Sequence, residues 1–531
     1  YPITIDTNVP AGDYTLTACA NPDNVIFEQH YDAANCKSFP IAIIPSQPDL
    51  LIPQASASIS EGKLTYSITV KNRGNTAAGS FTTTLYLSSD TTIDGSDYNM
   101  KTVSLSGLAA HTDTLLTGTI DIPSTIPNGT YYLLAMADSG NSVTEYDESN
   151  NVGISATMGL CNDLTVTAIS GSVAAGKFTY SVTIKNIGNG FAYPPNFGNI
   201  PINVYLSSDT AITSADYRIV ALLTPLYAGL RGGTSTTLTG TVDIPGMNIP
   251  SGDYYVGAIV DPSDLVKECN ESNNTLSTVD TISVTNDLEV TAVSGSVAAG
   301  KFTYTVTIRN NGNGYVYPPN FGNIPINLYL SSDTAITSAD YRIVALLTPL
   351  YAGLRGGTST TLTGTVDIPG MNIPSGDYYV GAIVDPSDQV KESNESNNTL
   401  STPTPILVHN DLVVTYVNGV VNGSNIDYEV TIKNNGNGYA YPANFGTIPV
   451  NVYLSVDTAI TTSDYLVKAL QTALYSGLRG GSETTLRGSA PLPAGIPLGD
   501  YYTGGLVDSP NYVVESQENN NTLAGNQVPL R

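Results

Sequence analysis

Carboxylates recur along this chain at fixed places, and they are the first candidates for chemistry. One loop type carries an Asp-x6-Asp pair: Asp90/Asp97, Asp209/Asp216, Asp333/Asp340 and Asp457/Asp464. A second carries one Asp and two Glu: Asp138/Glu145/Glu148, Asp261/Glu268/Glu271, Asp385/Glu392/Glu395 and Asp508/Glu515/Glu518. Hard oxygen ligands beside Asn carbonyls can hold Ca2+. The competing reading is that Asp and Asn make turns there and accept backbone hydrogen bonds. Nothing like EF-hand spacing decides between the two, so the Asp pairs stand as candidate Ca2+ ligands, and no other cofactor is expected. Acid pairs for glycoside hydrolysis need a sugar cleft, and a cleft repeated four times is not expected.

The three histidines, His30, His111 and His409, do not recur at equivalent places. A His-based nucleophilic or metal mechanism repeated along the chain is thereby excluded. No P-loop, dinucleotide fingerprint or HExxH is present. The sequence predicts no catalytic residue and no enzyme.

The four cysteines speak for a compartment. Cys161 precedes the first strand of one repeat and Cys269 lies in that repeat's closing signature; the next copies carry Thr285 and Ser393, then His409 and Ser516. Two cysteines present together and absent together predict a disulfide from first strand to last. Cys19 and Cys36 remain as a pair within one hairpin. Cys19 matches Ile259, a core position, so a partner on another chain is also open. Disulfides place the protein outside a reducing cytosol. Seven Asn-x-Ser/Thr sequons, at Asn128, Asn270, Asn273, Asn394, Asn397, Asn422 and Asn520, suit glycans on exposed turns. Sequence rich in Asn, Ser and Thr also yields such triplets by chance.

The elements that position these residues come in an array. Tyr205–Asp264 recurs unchanged at Tyr329–Asp388. Asn162-Asp163-Leu164, Asn286-Asp287-Leu288 and Asn410-Asp411-Leu412 mark an even period, and a shorter copy begins at Asp49-Leu50. Each copy is long enough to bury its own core. The modules are read at 48–160, 161–284, 285–408 and 409–531. Leu64, Tyr66, Ile68 and Val70 alternate with polar residues, the period of a half-buried strand. About seven short strands separated by Gly, Pro, Asn and Asp turns indicate a β-sandwich in each module. The fold class is all-β, beads on a string.

Residues 1–47 match only the last third of a module: Pro10-Ala11-Gly12-Asp13-Tyr14 parallels Pro250-Ser251-Gly252-Asp253-Tyr254. Strands are expected at Ile3–Asp6, Tyr14–Ala20 and Phe39–Ile44. Alone they would leave an apolar face (Ile3, Ile5, Tyr14, Leu16) and an open sheet edge in water. Either another subunit supplies the missing strands or residues upstream do. The later three modules add a stiff loop around Phe191-Ala192-Tyr193-Pro194-Pro195 and a second one with Leu230-Arg231-Gly232-Gly233. The first loop either caps one end of the sandwich or contacts the neighbouring module or subunit; the sequence assigns the second no role.

Net charge is -26 with only 12% charged residues, because Lys and Arg number 20 against 46 acids. Such a chain repels nucleic acid and anionic lipid. No apolar run is long enough to span a membrane. The first residue is Tyr1 and not Met, so either the chain is cut from a precursor, a secretory leader being the simpler reading, or its beginning is missing.

The order Val70-Lys71-Asn72-Arg73-Gly74-Asn75, Tyr86-Leu87-Ser88-Ser89-Asp90, Gly129-Thr130-Tyr131-Tyr132 and Val143-Thr144-Glu145…Asn151 resembles the cell-adhesion-related domain CARDB of bacteria, with similar domains in archaea. The resemblance covers nearly the whole chain. It implies tandem immunoglobulin-like sandwiches on an exported, prokaryotic cell-surface protein, and it brings no catalytic residues. The leading expectation is a structural homopolymer, a surface filament, fibre or sheath. The alternatives are a multivalent adhesin gripping a glycan or protein through its sandwich loops, and an accessory piece of a larger secreted enzyme.

Overall fold

The computed structural model describes residues 2–6, 8–10, 12–20, 36–43, 46–194, 199–222, 226, 228–244, 246, 249–318, 323–346, 350, 352–442 and 446–531. They form two compact units. The first holds Tyr1–Ser170, Tyr180–Thr239 and Val256–Val279; the second holds Gly171–Thr179, Gly240–Tyr255 and Asp280–Arg531. Every regular element among the described residues is a strand. No helix is long and apolar enough to cross a membrane.

In the first unit the chain opens on β1 (Gly12–Cys19) and β2 (Cys36–Ile43), an antiparallel pair from Gly12↔Ile43 to Cys19↔Cys36. The first whole module then runs β3 (Leu50–Ser60), β4 (Lys63–Asn72), β5 (Phe81–Ser88), β6 (Tyr98–Leu105), β7 (Asp113–Asp121), β8 (Gly129–Met136), β9 (Val152–Ile154) and β10 (Met158–Leu160). One sheet is ordered β3-β4-β7 and the other β10-β8-β5-β6, with β9 also on β8. Alternation does what it must on a pleated strand: Leu64, Ile68 and Val70 are fully buried between the sheets while Lys63, Thr65 and Lys71 face water. Phe81, Leu85, Leu87, Leu133 and Ala135 close the core from the other side. Burying one such side chain contributes about 1.5–3 kcal/mol, so each sandwich has a core of its own.

The second unit repeats this plan. Leu288–Ala298, Lys301–Asn310 and Ser359–Asp367 make one sheet of the third module, and Ile326–Ser331 and Gly376–Val384 centre the other. Its core runs from Leu288 to Val408 and that of the fourth module from Leu412 to Leu530.

The hairpin shows which part of a sandwich residues 1–47 represent. Gly12 pairs with Ile43 as Gly129 pairs with Leu160 and Gly499 with Leu530. Tyr14 donates its hydroxyl hydrogen bond to Pro10 O at 2.8 Å, four residues back. Tyr131, Tyr254, Tyr378 and Tyr501 do the same to Pro127, Pro250, Pro374 and Pro497 at 2.8–3.0 Å. β1 is therefore the counterpart of β8, with the position of β5 beside it empty of any described strand. The expected strand at Ile3–Asp6 is not formed: no described segment pairs with its backbone. Asn21, Pro22, Glu28 and His30 lie outside the described residues.

Candidate functional site

The second carboxylate set is a lock that closes each module. Glu145 Oε2 accepts the backbone N–H of Leu50, at the start of β3, and Oε1 accepts Asn151 Nδ2 at 3.0 Å. Glu268 holds Leu164 and Asn274, Glu392 holds Leu288 and Asn398, and Glu515 holds Leu412 and Asn521 in the same way. The second Glu of each set accepts the N–H of the first, at 2.9–3.0 Å. Asp138, Asp261, Asp385 and Asp508 stand in the left-handed region (φ 45–51°) and accept the N–H five residues on, at 2.7–2.8 Å. Burial away from water pushes Glu145 and Glu268 up to about 7, and Glu392 and Glu515 up to about 8; the donors pull back only part of that shift.

The Asp-x6-Asp pairs shape turns. Asp90 Oδ1 accepts Thr92 N and Oγ1, both at 2.7 Å, and Asp97 Oδ2 accepts Asp94 N at 2.8 Å. Asp209, Asp333 and Asp457 each accept the amide two residues on, at 2.8 Å. Asp216, Asp340 and Asp464 each accept the amide three residues back, at 2.7 Å. Among the described residues no group of three or more His, Cys, Asp or Glu side chains is placed to hold a metal ion.

Cys161 and Cys269 are bonded, as are Cys19 and Cys36, which lie directly opposite each other on β1 and β2. The later modules keep the same backbone meeting without sulfur. Cys269, Ser393 and Ser516 donate their N–H to Asn162, Asn286 and Asn410 O at 2.8–2.9 Å, and the two serine hydroxyls add a bond to the same carbonyls.

The Leu-Arg-Gly-Gly loops meet the preceding module. In the first unit Arg231 reaches Asp121 at the end of β7 at 2.8 Å and lies over the Phe191 ring, while Gly62 N, in the β3–β4 turn, donates to Asn189 O at 2.8 Å. In the second unit Arg355 pairs with Asp243 and Arg479 with Asp367. These arginines lie over Tyr315 and Tyr439, with Gly176 and Gly300 donating to Asn313 and Asn437 O at 2.9 Å. The arginines hold Asp121, Asp243 and Asp367 below the usual carboxylate range. Sequence reasoning assigned the Leu-Arg-Gly-Gly loop no role. The signal was available: Leu-Arg-Gly-Gly occurs where a preceding module ends a strand in Asp.

The opening segment and its hairpin expose apolar side chains. Ile3 is 69% exposed, Ile5 45%, Phe39 54%, and Tyr14 and Leu16 more than a third. Of the sequon asparagines, Asn128, Asn273, Asn397 and Asn520 are half-buried, and Asn270, Asn394 and Asn422 are exposed.

Comparison with known proteins completes the picture. CARDB matches four times, at residues 47–154, 161–278, 285–402 and 409–525. No curated protein matches the chain. Among solved structures, it is similar to the CARDB domain of a Pyrococcus furiosus protein in complex with di-metal ions (23% identity, 21% of this chain and 93% of that one, TM-score 0.17). It is also similar to the BSP domain of a biofilm-associated protein (8% identity, 91% and 96%, TM-score 0.15). A third likeness is to a chaperone–tip adhesin complex of CFA/I fimbriae (14%, 44% and 99%, TM-score 0.15). The chain belongs to the CARDB family, as a tandem array of its domains.

Proposed function

We propose that this chain is an extracellular structural protein, the subunit of a surface fibre that grows when a strand of a second copy adds to the open edge of β1. The observation that supports the reading is the β1–β2 hairpin. It keeps the register and the tyrosine corner of a sandwich's last strands, yet Tyr14, Leu16 and Phe39 on it, and Ile3 and Ile5 ahead of it, are exposed. An unpaired edge beside an apolar face is a template for strand addition. A donor filling the place of β5 in one direction only makes a head-to-tail contact that propagates instead of closing. Negative-stain microscopy tests this directly. The intact chain forms periodic fibres and a chain lacking residues 1–47 stays monomeric; fibres from the shortened chain would overturn the proposal, and flexible monomers from both would favour an adhesin.

The reading needs no Ca2+. Each Asp of the eight candidate ligands spends an oxygen on a turn amide. Treatment with a chelator therefore leaves the thermal transition in place, and a drop of several degrees would return those pairs to cation binding.

A further inference from the structure

The seven sequons are alike in sequence but not in what their amide nitrogen does. Asn273, Asn397 and Asn520 donate Nδ2 to Asp163, Asp287 and Asp411 at 2.7–2.8 Å, tying the closing signature to the start of the module. In the first module Asn150 makes the same bond to Asp49 at 2.9 Å, although Val152 there removes the sequon. The asparagine is kept for the bond, and the sequon is incidental. Asn128 donates Nδ2 to Lys267 O at 2.7 Å and accepts from Asn162 N. A glycan on any of these four nitrogens would displace a native donor.

Asn270 and Asn394 are built the other way. Only Oδ1 works: it accepts the N–H and hydroxyl of Ser272 or Ser396, the hydroxyl bonds at 2.6 Å. Asp147, which has no amide nitrogen, makes the identical turn with Ser149 in the first module. Nδ2 thus has no structural task, and both residues are exposed.

Asn422 stands at a tip that has been rewritten. In the first three modules this β-turn carries Gly62, Gly176 and Gly300 (φ 68–69°), and each donates its N–H to Asn189, Asn313 or Asn437 O of the following module, beside that module's latch arginine. A Cβ at Gly176 or Gly300 would meet Arg355 or Arg479 at 3.0–3.2 Å. The fourth module has Ser424 in that place, Asn425 where Lys63, Lys177 and Lys301 stand, and Pro491 where the latch Asp stands. Every docking determinant is gone, and what replaces them includes Asn422-Gly423-Ser424, a sequon on an exposed strand end.

We propose that Asn270, Asn394 and Asn422 are N-glycan acceptors, that the other four sequons are not, and that the fourth module's tip displays a sugar where the first three dock. In the transfer, Nδ2 forms a bond to the anomeric carbon of an oligosaccharide carried on a polyprenyl phosphate. The carbon–oxygen bond to the phosphate breaks, the lipid phosphate leaves with that electron pair, and the amide gives up one proton; nothing is oxidised or reduced.

Glycopeptide mapping of the full chain purified from its own cells, with electron-transfer fragmentation to separate Asn270 from Asn273 and Asn394 from Asn397, tests the assignment. Sugar is expected at Asn270, Asn394 and Asn422 and at none of the other four. Sugar on Asn128, Asn273, Asn397 or Asn520, or bare asparagine at all seven, overturns it. Independently, Asn273→Gln lowers the melting temperature and Asn270→Gln does not; equal losses would overturn the division of labour.

Discussion

Glu145, Glu268, Glu392 and Glu515 each sit among amide donors, in no ion pair among the described residues, and that arrangement has a pH signature. Burial raises their folded-state values to about 7–8, above the ordinary value of roughly 4.3. The folded chain therefore binds more protons than the unfolded chain between these limits, so stability is fully present below the ordinary value and is lost as pH rises through the folded one. Melting followed by circular dichroism is expected to give a higher midpoint at pH 5 than at pH 9. Replacing the four by Gln should flatten that slope, and a midpoint that rises with pH would contradict the assignment. The junction aspartates, held low by arginine, act in the opposite sense and only below about pH 4. At this scale the sequence was half legible. Recurrence found every one of these carboxylates, but spacing cannot tell whether an oxygen faces a turn amide or a cation, because both need the same residue at the same place.

The strands were the most readable elements. Leu64 to Val70 alternate in sequence and in burial alike, since a pleated strand between water and a core leaves no other choice. The Ile3–Asp6 strand failed because strand propensity alone does not supply a pairing partner. The Leu-Arg-Gly-Gly loops were visible as a repeat, yet their role depends on an Asp of another module, which no local pattern encodes. Exposed ion pairs are screened by water and contribute little, so the double variant Arg355→Ala, Arg479→Ala is expected to keep every sandwich folded while loosening the joints. Calorimetry in low salt and in 1 M NaCl should show a small salt-dependent loss in the native chain that the variant lacks. The disulfide of the second module acts on a larger scale. Changing Cys161 and Cys269 to Ser, the residue already found at 393 and 516, should cost that module about 4 kcal/mol and leave the others unchanged, as unfolding monitored module by module would show.

For the molecule as a whole, repetition told the architecture before any residue was interpreted, and the CARDB match covers the same four modules. Assembly was the part that composition could not settle, because the free edge of β1 is defined by a neighbour that no described strand supplies. A concentration series followed by light scattering should show nucleated growth for the intact chain and none after removal of residues 1–47. As the fibre subunit proposed above the chain would carry load, and there the bond between Cys161 and Cys269 gains a second meaning. It joins the residue where the chain enters the second module to one in the segment where it leaves. Tension applied at the two ends passes through sulfur and bypasses everything between. The sequence separation of 108, at roughly 3.5 Å per extended residue, is about 38 nm of hidden length. In a force-extension experiment the modules with hydroxyls at that position pay out their chain, and the second does so only after reduction, which makes it the inextensible link of the array.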